Sequence, residues 1–119
     1  MTPEEVVLLA VTWATANNIR LVRGPIFSFC EEPPACGALG AVLLKAGLAR
    51  LCEDGFDPGW DEKLRGLLEA DRTWVWRFNH GWNHGNCLTV EYEEKGKTKI
   101  LKDEVSHWAH KLAKTWAKR

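Results

Sequence analysis

Apolar residues recur at helical spacing near the start of the chain: Val6, Leu9, Ala10, Trp13 and Ala14 fall on one face. Thr2-Pro3-Glu4-Glu5 precedes them. Thr2 can cap, Pro3 suits the first helical position and Glu5 completes a capping box, so a helix is predicted up to Asn17-Asn18. Ile19 to Val22 predicts a short strand stopped by Gly24-Pro25, followed by an extended apolar segment with Ile26, Phe27 and Phe29. After a loop at Cys30 to Pro34, the run ACGALGAVLLKA from Ala35 to Ala46 is small and almost wholly apolar. It reads as a buried central helix stopped by Gly47, with one further helical turn over Leu48 to Cys52. Asp57-Pro58 opens a third helix with Leu64, Leu67 and Leu68 inward. Asp71 caps a fourth, which turns Trp74, Val75 and Phe78 inward and is expected to end at Gly81 and Gly85.

The period then changes from helical to alternating. Leu88, Val90 and Tyr92 fall on one side and Thr89, Glu91 and Glu93 on the other, the pattern of a half-buried strand. Glu94-Lys95-Gly96-Lys97 is a turn and Thr98 to Leu101 the returning strand. Asp103 caps a last helix with an apolar stripe of Val105, Trp108, Ala109, Leu112, Ala113 and Trp116. The predicted fold is α+β: about five helices and one hairpin in the C-terminal half, in a single compact domain over residues 1–119.

Composition narrows the class. With 45% apolar and 27% charged residues in 119, the chain can bury roughly two-thirds of its unfolded surface in one core. The net charge of zero gives no overall pull toward nucleic acid or a membrane. Residues 97–119 nevertheless carry seven Lys or Arg against two acids, and the rest of the chain the opposite imbalance. Lysines late in a helix complement its dipole, so nucleic acid is not the expected partner. No apolar run approaches the roughly 18 residues of a membrane span. Met1-Thr2-Pro3-Glu4-Glu5 is acidic where an export signal is basic, so a cytoplasmic location is expected, with Cys30, Cys36, Cys52 and Cys87 as free thiols.

The densest chemistry lies in Trp74 to Asn86, WVWRFNHGWNHGN, where large rings alternate with polar heads. Such a stretch is either the aromatic centre of a core or the wall of a binding site. Trp74 and Phe78 share a helical face and Trp76 is rotated away from them. Trp76, Arg77, His80, Trp82 and His84 are therefore the candidate ligand-binding residues, since rings and Arg stack on flat or cationic groups. His80, His84 and Cys87, with His107 or His110, are the alternative as metal ligands. No Glu lies between the two histidines, and no metal or other cofactor is expected. The motif Gly, aromatic, Asp or Asn, any residue, Gly occurs at Gly55 to Gly59 and again at Gly81 to Gly85. Asp54, Asp57 and Asp61 cluster around glycines without the spacing of a calcium loop.

The stretch from Cys36 to Gly47, CGALGAVLLKAG, resembles the nucleophile helix of papain-like peptidases, especially those that process bacteriocin leaders. A helix N-terminus lowers a thiol pKa and can hold an oxyanion, so Cys36 is also the alternative nucleophile, with His84 or His80 as base and Asn86 or Asp103 as its orienter. Those enzymes carry a Gln upstream of the cysteine, and this chain has no Gln. Neither serine sits in a GxSxG elbow, and no phosphate-binding glycine loop is present.

About half the chain resembles a group of small bacterial proteins without assigned activity. They share a Cys-x-Leu-Gly-Ala helix and a later helix ending in aromatic-x-x-Gly-Phe/Trp-Asp/Asn. The matching residues are Cys36 to Ala41, shifted by one at Gly37, and Trp74 to Asn83. Members of that group look like cargo of mobile elements or gene cassettes. The resulting expectation is a non-catalytic binding module with an unknown protein or small-molecule partner, and a homodimer as one form. A cysteine hydrolase comes second and a metal module third.

Overall fold

A computed structural model describes residues 1–23, 27–28 (backbone only), 34–49, 58–84 and 88–117. Its elements in order are α1 (Pro3–Ala16), β1 (Arg20–Leu21), β2 (Phe27–Ser28), β3 (Ala35–Cys36), α2 (Ala38–Lys45), α3 (Trp60–Leu68), α4 (Arg72–His84), β4 (Thr89–Glu94), β5 (Lys97–Lys102) and α5 (Glu104–Trp116). The fold is mixed α+β, with five helices among the described residues.

Local signals set the helix starts. The Thr2 hydroxyl accepts from the Glu5 N–H at 3.2 Å, and the Glu5 carboxylate accepts from the Thr2 N–H at 3.0 Å, which completes the capping box. Asp71 Oδ1 accepts from the Trp74 N–H at 2.7 Å at the start of α4, and Asp103 Oδ2 from the Ser106 N–H at 2.8 Å at the start of α5. The apolar face of α1 is centred on Val6, Val7, Ala10 and Ala14, all buried; Leu9 and Trp13 flank it half-buried.

The central run departs from its helical expectation at both ends. Ala35 and Cys36 form the middle strand of a three-stranded sheet ordered β1-β3-β2, parallel to β1 and antiparallel to β2. The Val22 N–H donates to the Cys36 carbonyl and the Arg20 N–H to the Pro34 carbonyl, each at 2.9 Å. Small apolar residues fit either state, and the neighbouring strands supply the ladder that decides. Helix α2 therefore begins three residues later than the sequence pattern, and it buries Ala38 to Leu43. Leu48 and Ala49 are buried but not helical; the rest of that expected turn, 50–52, lies outside the described residues, as do Ile26, Phe29, Asp57 and most of the Gly55 to Gly59 motif.

The core gathers α1, α2, β1, β3, α3, α4 and α5 around Val6, Leu39, Leu43, Leu64, Leu68, Phe78 and Trp82. Two inward expectations fail at the surface. Leu67 is exposed on α3. The buried face of α5 is the small-residue line Ser106, Ala109 and Ala113, leaving Val105 and Leu112 half-buried and Trp108 and Trp116 exposed.

The β4–β5 hairpin forms in the expected place, with Lys95 and Gly96 at φ 53° and 75° in its turn, the two-residue positive-φ signature of type I′. Its half-buried character is not found: every residue of both strands is exposed.

Candidate functional site

Helix α4 continues through Gly81 to His84. Continuity matters, because residues four apart then stand above one another on the helix surface. Two ring ladders result. Trp74, Phe78 and Trp82 form the first, with centroids 5.4 and 6.2 Å apart and ring planes within 15° and 10° of parallel. Trp76, His80 and His84 form the second, with centroids 5.8 and 5.0 Å apart. Two residues of offset turn the second ladder about 160° from the first.

The first ladder is the core side. Phe78 and Trp82 are buried and Trp74 packs half-buried against them. The Trp82 indole N–H donates to the Val22 carbonyl at 2.9 Å, joining α4 to the end of β1. The expectation of Trp82 as a ligand contact is corrected here: its ring faces the interior, and its one polar atom is used within it. The second ladder faces outward. Trp76 is 58% exposed, the most exposed of the chain's seven indoles; His84 is exposed and His80 half-buried.

Arg77 is also drawn into structure. Its Nη1 meets Asp103 Oδ1 at 2.5 Å, and its Nε donates to the Thr73 carbonyl at 3.4 Å. Asp103 thus caps α5 and holds α4 through one carboxylate. Its backbone N–H donates to the Leu88 carbonyl at 2.9 Å, and the Leu88 N–H donates to Ser106 Oγ at 2.9 Å. Burial acts to raise the Asp103 carboxyl, and the opposing Ser106 and Arg77 hydrogen bonds, with the Arg77 charge, hold it below its usual value. Beside this joint, Gly81 lies so close to α5 that a Cβ there would fall 2.1 Å from the Ser106 carbonyl oxygen. Sequence reasoning missed this joint. Its signal was available in the small residues Ser106, Ala109 and Ala113 at spacings of three and four, and in a glycine inside the facing helix.

Cys36 lies wholly buried in β3, one residue before the Gly37 cap of α2. Burial pushes its thiol up to about 12. Such a thiol is protonated near neutral pH, the reverse of an activated nucleophile. Of its suggested partners, His84 ends α4 on the exposed side, and Asn86 lies outside the described residues. Cys87, the third member of the alternative metal set, also lies outside them. Among the described residues no three His, Cys, Asp or Glu side chains come together to hold a metal ion. On α5, His107 meets the edge of Trp108, and His110 Nδ1 lies 3.3 Å from the Arg23 guanidinium, which also donates to the His110 carbonyl. Desolvation, then the Lys114, Arg23 and His107 charges, lower the His110 pKa.

A further aromatic surface opens where the two capped helix starts meet. Thr2, Pro3, Glu4, Glu104, Val105 and Trp108 line a cleft of about 290 Å³. Lys111 Nζ already stands 5.1 Å from the centre of the Trp108 ring. Among the described residues no helix is long and apolar enough to cross a membrane. Comparison with protein-family models, curated proteins and solved structures finds no match to this chain.

Proposed function

We propose that this protein is a non-catalytic interaction module that holds a protein partner against the outer ladder of α4, with Trp76 as the anchor. The exposure of Trp76 carries the reading. Leaving over half an indole in water forgoes about 3 kcal/mol of apolar burial, and the same helix buries Phe78 and Trp82 and half-buries Trp74. Tryptophan dominates protein interfaces because one side chain supplies a large, stiff contact area. The His80 ring, set between Trp76 and His84, and the exposed His84 continue the aromatic surface along the helix. A helix flank is convex, whereas small molecules are usually enclosed by concave sites, so the partner proposed is a protein. The buried, protonated Cys36 weighs against the hydrolase reading.

A photo-crosslinking amino acid placed at exposed Arg72, one helical turn from an intact Trp76, and separately at exposed Thr12 of α1, tests this in a lysate of the cells that make the protein. A discrete adduct is expected from position 72 and none from position 12. Excess purified native protein should compete it away, and the Trp76→Ser variant should not. Equal diffuse labelling at both positions, or equal competition by the variant, would overturn the proposal.

A further inference from the structure

The β4–β5 hairpin stands apart from the α4 surface and presents a different problem. Its register pairs Val90 with Leu101, Tyr92 with Lys99 and Glu94 with Lys97, so these six side chains share one face. Thr89, Glu91, Glu93, Thr98, Ile100 and Lys102 share the other. Val90 and Leu101 are each 61% exposed and Tyr92 is 42% exposed, giving the first face an apolar base and a charged tip. A two-stranded hairpin without a covered face is marginally stable in water. Among the described residues this one is fastened at its base, through the Leu88, Asp103 and Ser106 hydrogen bonds.

The charges are sorted by strand. β4 carries Glu91, Glu93 and Glu94; β5 carries Lys97, Lys99 and Lys102. Symmetric edge pairing of two copies would set acid beside acid or lysine beside lysine, which is destabilising. Pairing β4 of one copy to β5 of the next would match charges but leave Val90, Tyr92 and Leu101 wet. Stacking two hairpins face to face about a two-fold axis parallel to their strands does both jobs. Each β4 then lies over the β5 of the other copy. Val90 meets Leu101, Tyr92 meets the Lys99 side chain, whose ammonium donates to Glu94 of its own hairpin at 3.0 Å, and Glu94 also meets Lys97 of the other copy, with every contact made twice.

We infer that the Val90, Tyr92 and Leu101 face of the hairpin docks on the same face of a second copy, forming a closed dimer with the two hairpins parallel. The stacked faces cover on the order of 1,000 Å² in total, the low end for a specific interface, so the dimer is a weak and reversible one.

Sedimentation velocity of the full chain tests the proposal, with two charge variants and one apolar variant. The native protein should pass from a 13.5 kDa species at low micromolar concentration to twice that mass at several hundred micromolar, and then plateau. Leu101→Glu, at an exposed site, should remain monomeric with an unchanged far-ultraviolet spectrum. Glu94→Lys and Lys97→Glu should each weaken self-association at least tenfold. Mixing those two should restore dimers, because one copy then presents two lysines where the other presents two glutamates. The charge clash within each hairpin persists in the mixture, so only contacts between copies can produce the restoration. A native mass fixed at 13.5 kDa, growth without a plateau, dimers indifferent to Leu101→Glu, or a mixture no different from its components would each overturn the inference.

Discussion

At the scale of single residues, Asp103 ties together α4, α5 and the base of the hairpin. It caps α5, pairs with Arg77 of α4, and its own N–H closes the base of the hairpin. Asp103→Ala should therefore cost about 1–2 kcal/mol, the loss of a cap and a partly shielded ion pair. The effect has a pH signature whose sign follows from the depressed carboxyl. As acid is added, the unfolded chain takes up this proton first, near pH 4, so stability falls as pH drops through the lower native value. Urea unfolding at pH 7 and pH 3 should show the gap between native protein and Asp103→Ala narrowing in acid. A gap of constant size would remove the charged joint from the account. Cys36 and Trp82 show the limit of residue identity as a guide. A cysteine before a small apolar helix has the composition of a nucleophile, and an indole beside histidines that of a ligand contact; in both, burial decides otherwise.

Among elements, the contact of α4 with α5 depends on the missing side chain at Gly81. Gly81→Ala would place its Cβ against backbone atoms of Ser106, at 2.1 to 2.7 Å, where nothing yields cheaply. It should destabilise by more than about 3 kcal/mol, at the severe end for a single substitution. Gly66→Ala in α3 provides the contrast, because nothing lies within 4 Å of the added Cβ. It should stabilise by about 0.5–1 kcal/mol, the ordinary helix preference for alanine. Chemical denaturation of the pair checks both signs, and equal effects would mean that the helices are not so closely set. The starts of α1, α4 and α5 were legible because Thr2, Asp71 and Asp103 cap helices through contacts within three residues. Ala35 and Cys36 were not, because their strand forms between two partners distant from helical spacing, Arg20-Leu21 on one side and Phe27-Ser28 on the other. The alternation of Leu88 to Glu93 showed which side chains share a face, but alternation carries no information on whether anything covers it. The stripe on α5 was misplaced for a related reason. Its large apolar residues lie beside the small line of Ser106, Ala109 and Ala113, and it is this line, with Ser106 against Gly81, that is buried.

Over the whole molecule, the described features spread along a body of 54 × 29 × 22 Å. Its radius of gyration of 15.4 Å exceeds the roughly 13.5 Å of a compact chain this long, in keeping with a hairpin whose every residue is exposed. The charge imbalance between the two parts of the sequence is partly resolved here, since Lys97, Lys99 and Lys102 lie across the ladder from the glutamates of β4. Two surfaces remain distinct, the Trp76 flank of α4 for a protein partner and the hairpin face for a second copy. Both readings require a molecule that leaves large side chains in water, and α4 is where this claim is sharpest, since one helix turns Trp82 inward and Trp76 outward. Hydrogen exchange at the indole nitrogens, followed by nuclear magnetic resonance in dilute solution, measures that division directly. The Trp82 indole, bonded to the Val22 carbonyl, should exchange slowest of the seven, and the Trp76 indole should exchange near the free-solvent rate. A Trp76 indole protected as strongly as that of Trp82 would contradict the account.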